Sequence, residues 1–146
     1  MRTYKAGLLT AGALAAVLVP LAASPAAAAG ASASCSVTGG TGSASWTWAS
    51  RTKLNPLSIT VKDTKADGYH PAVRLVTYTG STVKTWSWHH VYGGSGASET
   101  WNTYAEDTRG IKHAGVEVQL YDGSAEVNKP GISVYCYSGG KFNPLF

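Results

Sequence analysis

Hydrophobic and polar residues alternate along most of the chain, and the alternation has a period of two. Leu57, Ile59 and Val61 are separated by Ser58 and Thr60, and Val116, Val118 and Leu120 by Glu117 and Gln119. Ile132, Val134 and Cys136 alternate with Ser133, Tyr135 and Tyr137. Period two sends successive side chains to opposite faces, so each segment predicts a half-buried β-strand. Further strands are predicted at 44–49, with Trp46 and Trp48 on one face, and more weakly at 98–104 around Trp101. Segments 72–79 and 82–90 read as a hairpin about Gly80-Ser81. Asp67-Gly68, Gly93-Gly94-Ser95-Gly96, Asp122-Gly123 and Lys129-Pro130-Gly131 supply turns between strands. Residues 105–114, with Glu106, Asp107, Arg109 and Lys112, read as a loop. Beyond residue 29 no ten-residue stretch keeps a helical apolar period. The pattern therefore predicts an all-β fold: an antiparallel β-sandwich, immunoglobulin-like or a related Greek key, of seven to eight strands.

The first 29 residues follow a different pattern. Arg2 and Lys5 precede an uncharged, mostly apolar run from Ala6 to Val19. Pro20 lacks the N–H that a helix interior requires. The run Ser24-Pro25-Ala26-Ala27-Ala28-Ala29 offers A-x-A frames, as a signal-peptidase site does. The apolar run is shorter than the ~20 residues a spanning helix needs. Residues 1–29 thus predict a cleaved secretory signal peptide, and residues 30–146 a single secreted, extracellular domain with no membrane span. Such a length suffices for one core.

Cys35 and Cys136 are the only two cysteines. Two cysteines in an exported chain predict one disulfide. No C-x-x-C and no paired Cys/His spacing suggests redox or zinc chemistry instead. The bond closes a loop of about 100 residues, for which chain entropy gives roughly 4.7 kcal/mol. It is expected to tie the first strand to the last, pointing into the core, with Gly139–Phe146 trailing outside.

The leader holds two of the basic residues, Arg2 and Lys5, so its removal lowers the formal charge from +4 to +2. The remaining charges are scattered. That argues against nucleic acid or an acidic membrane as the main partner.

The segment Val61-Lys62-Asp63-Thr64-Lys65-Ala66-Asp67-Gly68 precedes an alternating strand and a late Val116-Glu117-Val118-Gln119-Leu120 strand. In this the chain resembles a group of small secreted actinobacterial β-sandwich proteins with a V-x-D-T-x-A-D-G segment. The resemblance implies secretion and a β fold, and implies no activity and no site.

Candidate chemistry is sparse. Asp63, Lys65 and Asp67 fall at EF-hand ligand spacing, but the middle position is Lys and the twelfth is Arg74 where a bidentate Glu is needed. The aspartates are expected to accept turn hydrogen bonds instead. His89 and His90 are adjacent on a predicted strand and point to opposite faces, so they cannot chelate one metal together. His70 and His113 are placed in different loops. Ser95 lacks the strand-to-helix context of a nucleophile elbow. Glu99, Glu106, Asp107, Glu117 and Glu126 could pair as glycosidase carboxylates only through tertiary structure. No metal, cofactor or catalytic residue is expected.

The aromatic residues carry more information. Five Trp and, beyond the leader, seven Tyr accompany only two Phe. Trp and Tyr are favoured where one end of the ring stays wet, as at binding surfaces. Trp46 with Trp48, and Trp86 with Trp88, share strand faces in this reading, and either pair could form a platform or fill the core. Trp101 and Tyr92 flank the Gly-rich loop. These six residues are the candidate binding surface. The expected function is a non-catalytic interaction domain that binds another extracellular protein, as an inhibitor or as a subunit of a secreted assembly such as a toxin complex. The alternative is a carbohydrate or cell-wall binding module using surface Trp, and the third reading is a small hydrolase.

Overall fold

The structure, a computed structural model, describes residues 29–130 and 135–146. Residues 1–28 of the predicted leader, and Ile132 and Val134 of the last predicted strand, lie outside the described residues.

Every regular element described is a β-strand. Seven are long: β1 (Gly30–Val37), β2 (Gly40–Trp48), β3 (Lys53–Asp63), β4 (His70–Tyr78), β7 (Ser98–Glu106), β8 (His113–Asp122) and β10 (Tyr135–Phe142). Three are short: β5 (Val83–Thr85), β6 (His89–His90) and β9 (Ala125–Glu126). The described strands number ten rather than seven to eight for two reasons. Segment 82–90 breaks into β5 and β6 around Trp86–Trp88, and the chain pairs briefly with β8 after the Asp122-Gly123 turn.

All pairings are antiparallel. The first sheet has the order β1-β2-β3-β7 and the second the order β10-β8-β4-β5, with β6 also on β4 and β9 also on β8. The chain crosses between sheets at β3–β4, β6–β7 and β7–β8.

The inward residues are those the alternation selects. Trp46, Trp48, Leu57, Ile59 and Val61 from the first sheet meet Val73, Leu75, Val116, Val118 and Leu120 from the second. Each fully buried aliphatic side chain is worth about 1.5–3 kcal/mol. Gly42 lets β2 come close to the second sheet, because a Cβ there would collide with Val118 and Val73. The outward face of the first sheet is polar, with Ser34, Ser43, Thr60 and Thr100 in one cross-strand row.

Cys35 and Cys136 are bonded, 101 residues apart in sequence. The bond joins β1 to β10, the margins of the two sheets, as first strand to last. It packs half-buried against the core rather than inside it. The chain end does not trail outside. β10 continues to Phe142, and the buried Asn143 donates to the carbonyls of Ser50 at 3.1 Å and Ile111 at 2.9 Å.

Candidate functional site

Trp46 and Trp48 do not belong to a binding surface. They are 3% and 1% exposed and meet edge to face in the core, with ring centroids 5.8 Å apart. Both sit at inward positions of β2, whose outward positions carry Thr41, Ser43, Ser45 and Thr47.

Trp86 and Trp88 do not share a face. β5 ends at Thr85, so no regular strand carries the two rings. Trp86 turns inward, where its Nε1 donates to Thr77 Oγ1 at 3.1 Å and Lys84 covers its ring. Trp88 lies on the outward side of β4, beneath the Arg74 guanidinium 4.3 Å away. The residues of the candidate surface thus separate into two neighbourhoods.

The first is a seam between the sheets. Among the described residues β7 pairs only with β3 and forms one margin of the first sheet. β5 and β6 form the facing margin of the second. Between them runs a groove of about 220 Å³, whose floor is Leu57, Ile59 and Leu75 and whose walls include Trp86, His89 and Tyr104. His89 stacks on Trp101 of β7 at 4.7 Å, at a tilt of 36°. Lys84 and Arg109 hold the buried Asp107 at the β7 end. Two bonds from Arg109, 3.0 and 2.8 Å long, drive the Asp107 carboxyl well below the usual carboxylate range. The opposite margin, between β1 and β10, is the one the disulfide closes.

The second neighbourhood is the outward face of the second sheet. His70, at the start of β4, lies opposite Tyr121 of β8, and His90 of β6 lies opposite Ala72. His70 Nε2 and His90 Nδ1 are 3.1 Å apart. The Tyr92 ring is 4.5 Å from His70 and lies parallel to His90 within 7°, and Tyr92 is 69% exposed. Tyr121 packs against His90 and Trp88 at 4.7 and 5.9 Å. Arg74 pairs with Glu117, which also accepts the Tyr135 hydroxyl at 2.8 Å. Burial, then the nearby Glu126, pushes the Tyr121 hydroxyl up to about 12. Burial lowers the affinity of His70, His89 and His90 for protons. Asp63 and Asp122 oppose this at His70, whereas His70 and His89 reinforce it at His90.

Asp63 and Asp67 accept the backbone N–H of Lys65 and Tyr69 at 2.9 and 3.1 Å, the turn role expected of them. His70 and His113 begin β4 and β8 rather than lying in loops. Four of the candidate carboxylates are engaged: Glu106 with Lys53, Asp107 with Arg109, Glu117 with Arg74, and Glu126 with the Tyr121 hydroxyl. Among the described residues no three His, Cys, Asp or Glu side chains gather as metal ligands, and no helix is long and apolar enough to cross a membrane.

The sequence pattern missed His70, His90, Tyr121 and Arg74, which are brought together only by the pairing of β4 with β6 and β8. It also missed Tyr104 and His89. The signal for those two was their position on the segments flanking the Gly-rich loop, which face each other once β7 crosses to the other sheet.

No known protein family, curated protein or solved structure matches the chain.

Proposed function

We propose that this protein is a secreted, non-catalytic interaction domain of β-sandwich type. It binds another extracellular protein at the seam between β7 and β5–β6, as an inhibitor or as a subunit of a secreted assembly. The observation that carries this reading is the asymmetry of the two margins. One is closed by the Cys35–Cys136 bond. The other leaves a nine-residue margin strand beside an apolar groove lined by Trp86, His89 and Tyr104, with Trp101 packed against His89. Margin strands present unpaired backbone groups that an extended partner segment can extend, with alternate side chains in adjoining pockets. Aromatic side chains at a desolvated groove supply most of the energy at such surfaces.

A carbohydrate-binding reading is favoured by a different observation. Tyr92 offers an exposed ring beside a depression of about 390 Å³ lined by Asp63, Tyr69 and His70, so ring stacking and hydrogen bonding converge there.

Capture from culture medium on immobilised protein separates the two. Retention of one extracellular protein by the wild type, lost in Tyr104→Ser and kept in Tyr92→Ala, is the expected result. A tryptophan-fluorescence response to cell-wall polysaccharide that disappears in Tyr92→Ala, with no protein retained, would overturn the seam reading in favour of sugar.

A further inference from the structure

We infer that His70 and His90 form an acid-sensitive latch that holds β6 on the second sheet and, through β6, positions His89 against Trp101. The two imidazoles meet nitrogen to nitrogen at 3.1 Å, so one must donate while the other accepts. The pair tolerates its first added proton, because a protonated imidazole still donates to a neutral one. A second proton leaves two cationic donors face to face, and the bond is lost.

The groups around the pair are few. Asp63 of β3 and Asp122 of β8 favour the charged form of His70. His89, on β6 itself, disfavours the charge on His90. Tyr92 and Tyr121 pack on both rings. The second proton therefore enters below the ordinary histidine range.

The latch has leverage because β6 is two residues long. Besides its pairing with Ala72 and Val73, the segment is held by the Val91 N–H on the Pro71 carbonyl at 3.3 Å and by the Val91 side chain, which is buried in the core and serves as the pivot of the movement. His90 and His89 leave this strand on opposite faces, the first toward His70 and the second toward Trp101. Release of His90 frees the strand, and His89 withdraws from the seam with it. Gly93 and Gly94 absorb the displacement, while the far end of that loop stays fixed by Gly96 N–H to the Asp63 carbonyl at 2.9 Å. Any effect on a partner rests on the seam reading proposed above. The latch itself does not.

Amide hydrogen exchange on the isolated protein tests the latch. Exchange at His89 and Val91, the amides that face β4, is measured at pH 7 and pH 4.5, and each rate is divided by those of the β2–β3 ladder to remove the intrinsic pH effect. The expected result is a relative gain of about tenfold or more in acid, a gain absent in His90→Gln, whose amide bonds to His70 without titrating. An unchanged ratio in the wild type, or the same gain in both His90→Gln and His70→Gln, would overturn the latch. Partner capture repeated at both pH values tests the coupling separately. Capture that is indifferent to pH while the amides respond would refute control of the seam and leave the latch standing.

Discussion

The rings of His89 and Trp101 stack 4.7 Å apart although their strands belong to different sheets. β6 is bonded to β4 and β7 to β3, so this contact spans the margin that no disulfide closes. An imidazole on an indole closes the seam weakly, whereas Cys35–Cys136 closes the other margin covalently. Two closures of such different strength give one fold a firm side and a yielding side.

The firm side has a measurable cost of removal. Reducing the disulfide, or replacing it by Cys35→Ser with Cys136→Ser, is expected to destabilise the protein by about 3–5 kcal/mol, because a long loop regains its freedom in the unfolded chain. Urea unfolding with and without reductant reads this directly. An unmoved midpoint would refute it.

The yielding side predicts a separation of stability from binding. Tyr104 is 58% exposed on β7. Its replacement by Ser is expected to change stability by less than about 0.5 kcal/mol, as surface substitutions do. The same change abolishes capture at the seam. Equal losses in unfolding free energy and in binding would mean that Tyr104 acts only through the fold.

The two core tryptophans separate the cost of an unpaired donor from the loss of packing. The Nε1–H of Trp46 is buried and has no hydrogen-bond partner among the described residues. Leaving such a donor unpaired costs about 1–3 kcal/mol, so Trp46→Phe removes that cost while losing volume. We expect Trp46→Phe to be near neutral, within about 1 kcal/mol, and Trp48→Ala to cost roughly 3–5 kcal/mol. A Trp46→Phe variant as unstable as Trp48→Ala would sink this account.

Gly115 is expected to accept no side chain. A Cβ there would strike the backbone carbonyl of Ser138 on β10, where the ladder between β8 and β10 shifts register. Backbone cannot turn aside as a side-chain tip can. Gly115→Ala should destabilise by about 1–3 kcal/mol and raise exchange at the β10 amides first. Uniform exchange across both sheets would place the damage elsewhere.

Acid should weaken the fold in two steps. His70, His89 and His90 are held below the ordinary value of 6.5, so below that value the unfolded chain binds more protons than the folded one. Their contribution is fully present above pH 6.5 and is lost as the pH falls toward the folded values. Asp107 acts lower on the scale. The Arg109 bonds keep it ionised after the unfolded carboxyl, near 3.8, has taken its proton. Its contribution is present above that value and is lost as the pH falls through the depressed folded value. Thermal unfolding from pH 8 to pH 2 should show both limbs. His90→Gln should flatten the upper one and Asp107→Asn the lower one.

The strands were legible because one face of each is buried. Alternation at Leu57, Ile59 and Val61, and at Val116, Val118 and Leu120, marks the inward positions, and all six are buried. It failed at 82–90, where alternating Trp and Ser imitates a strand that the chain does not form across Trp86–Trp88. Large amphipathic rings satisfy either face, so their spacing carries no direction. The same ambiguity hid the core position of Trp46 and Trp48. The chain end was misjudged because Asn143 is buried by hydrogen bonds to two distant carbonyls, and a single polar residue leaves no periodic trace.

The sequence by itself determined the all-β class, the inward faces of β3 and β8 and the pairing of the only two cysteines. Those follow from local backbone geometry and from counting. Only the tertiary structure decided which margin the disulfide closes, that β7 faces β5 and β6 across an apolar groove, and that His70 meets His90. These depend on strand order and on crossings between sheets. Alternation reports whether a face is buried, and it is silent about what lies opposite.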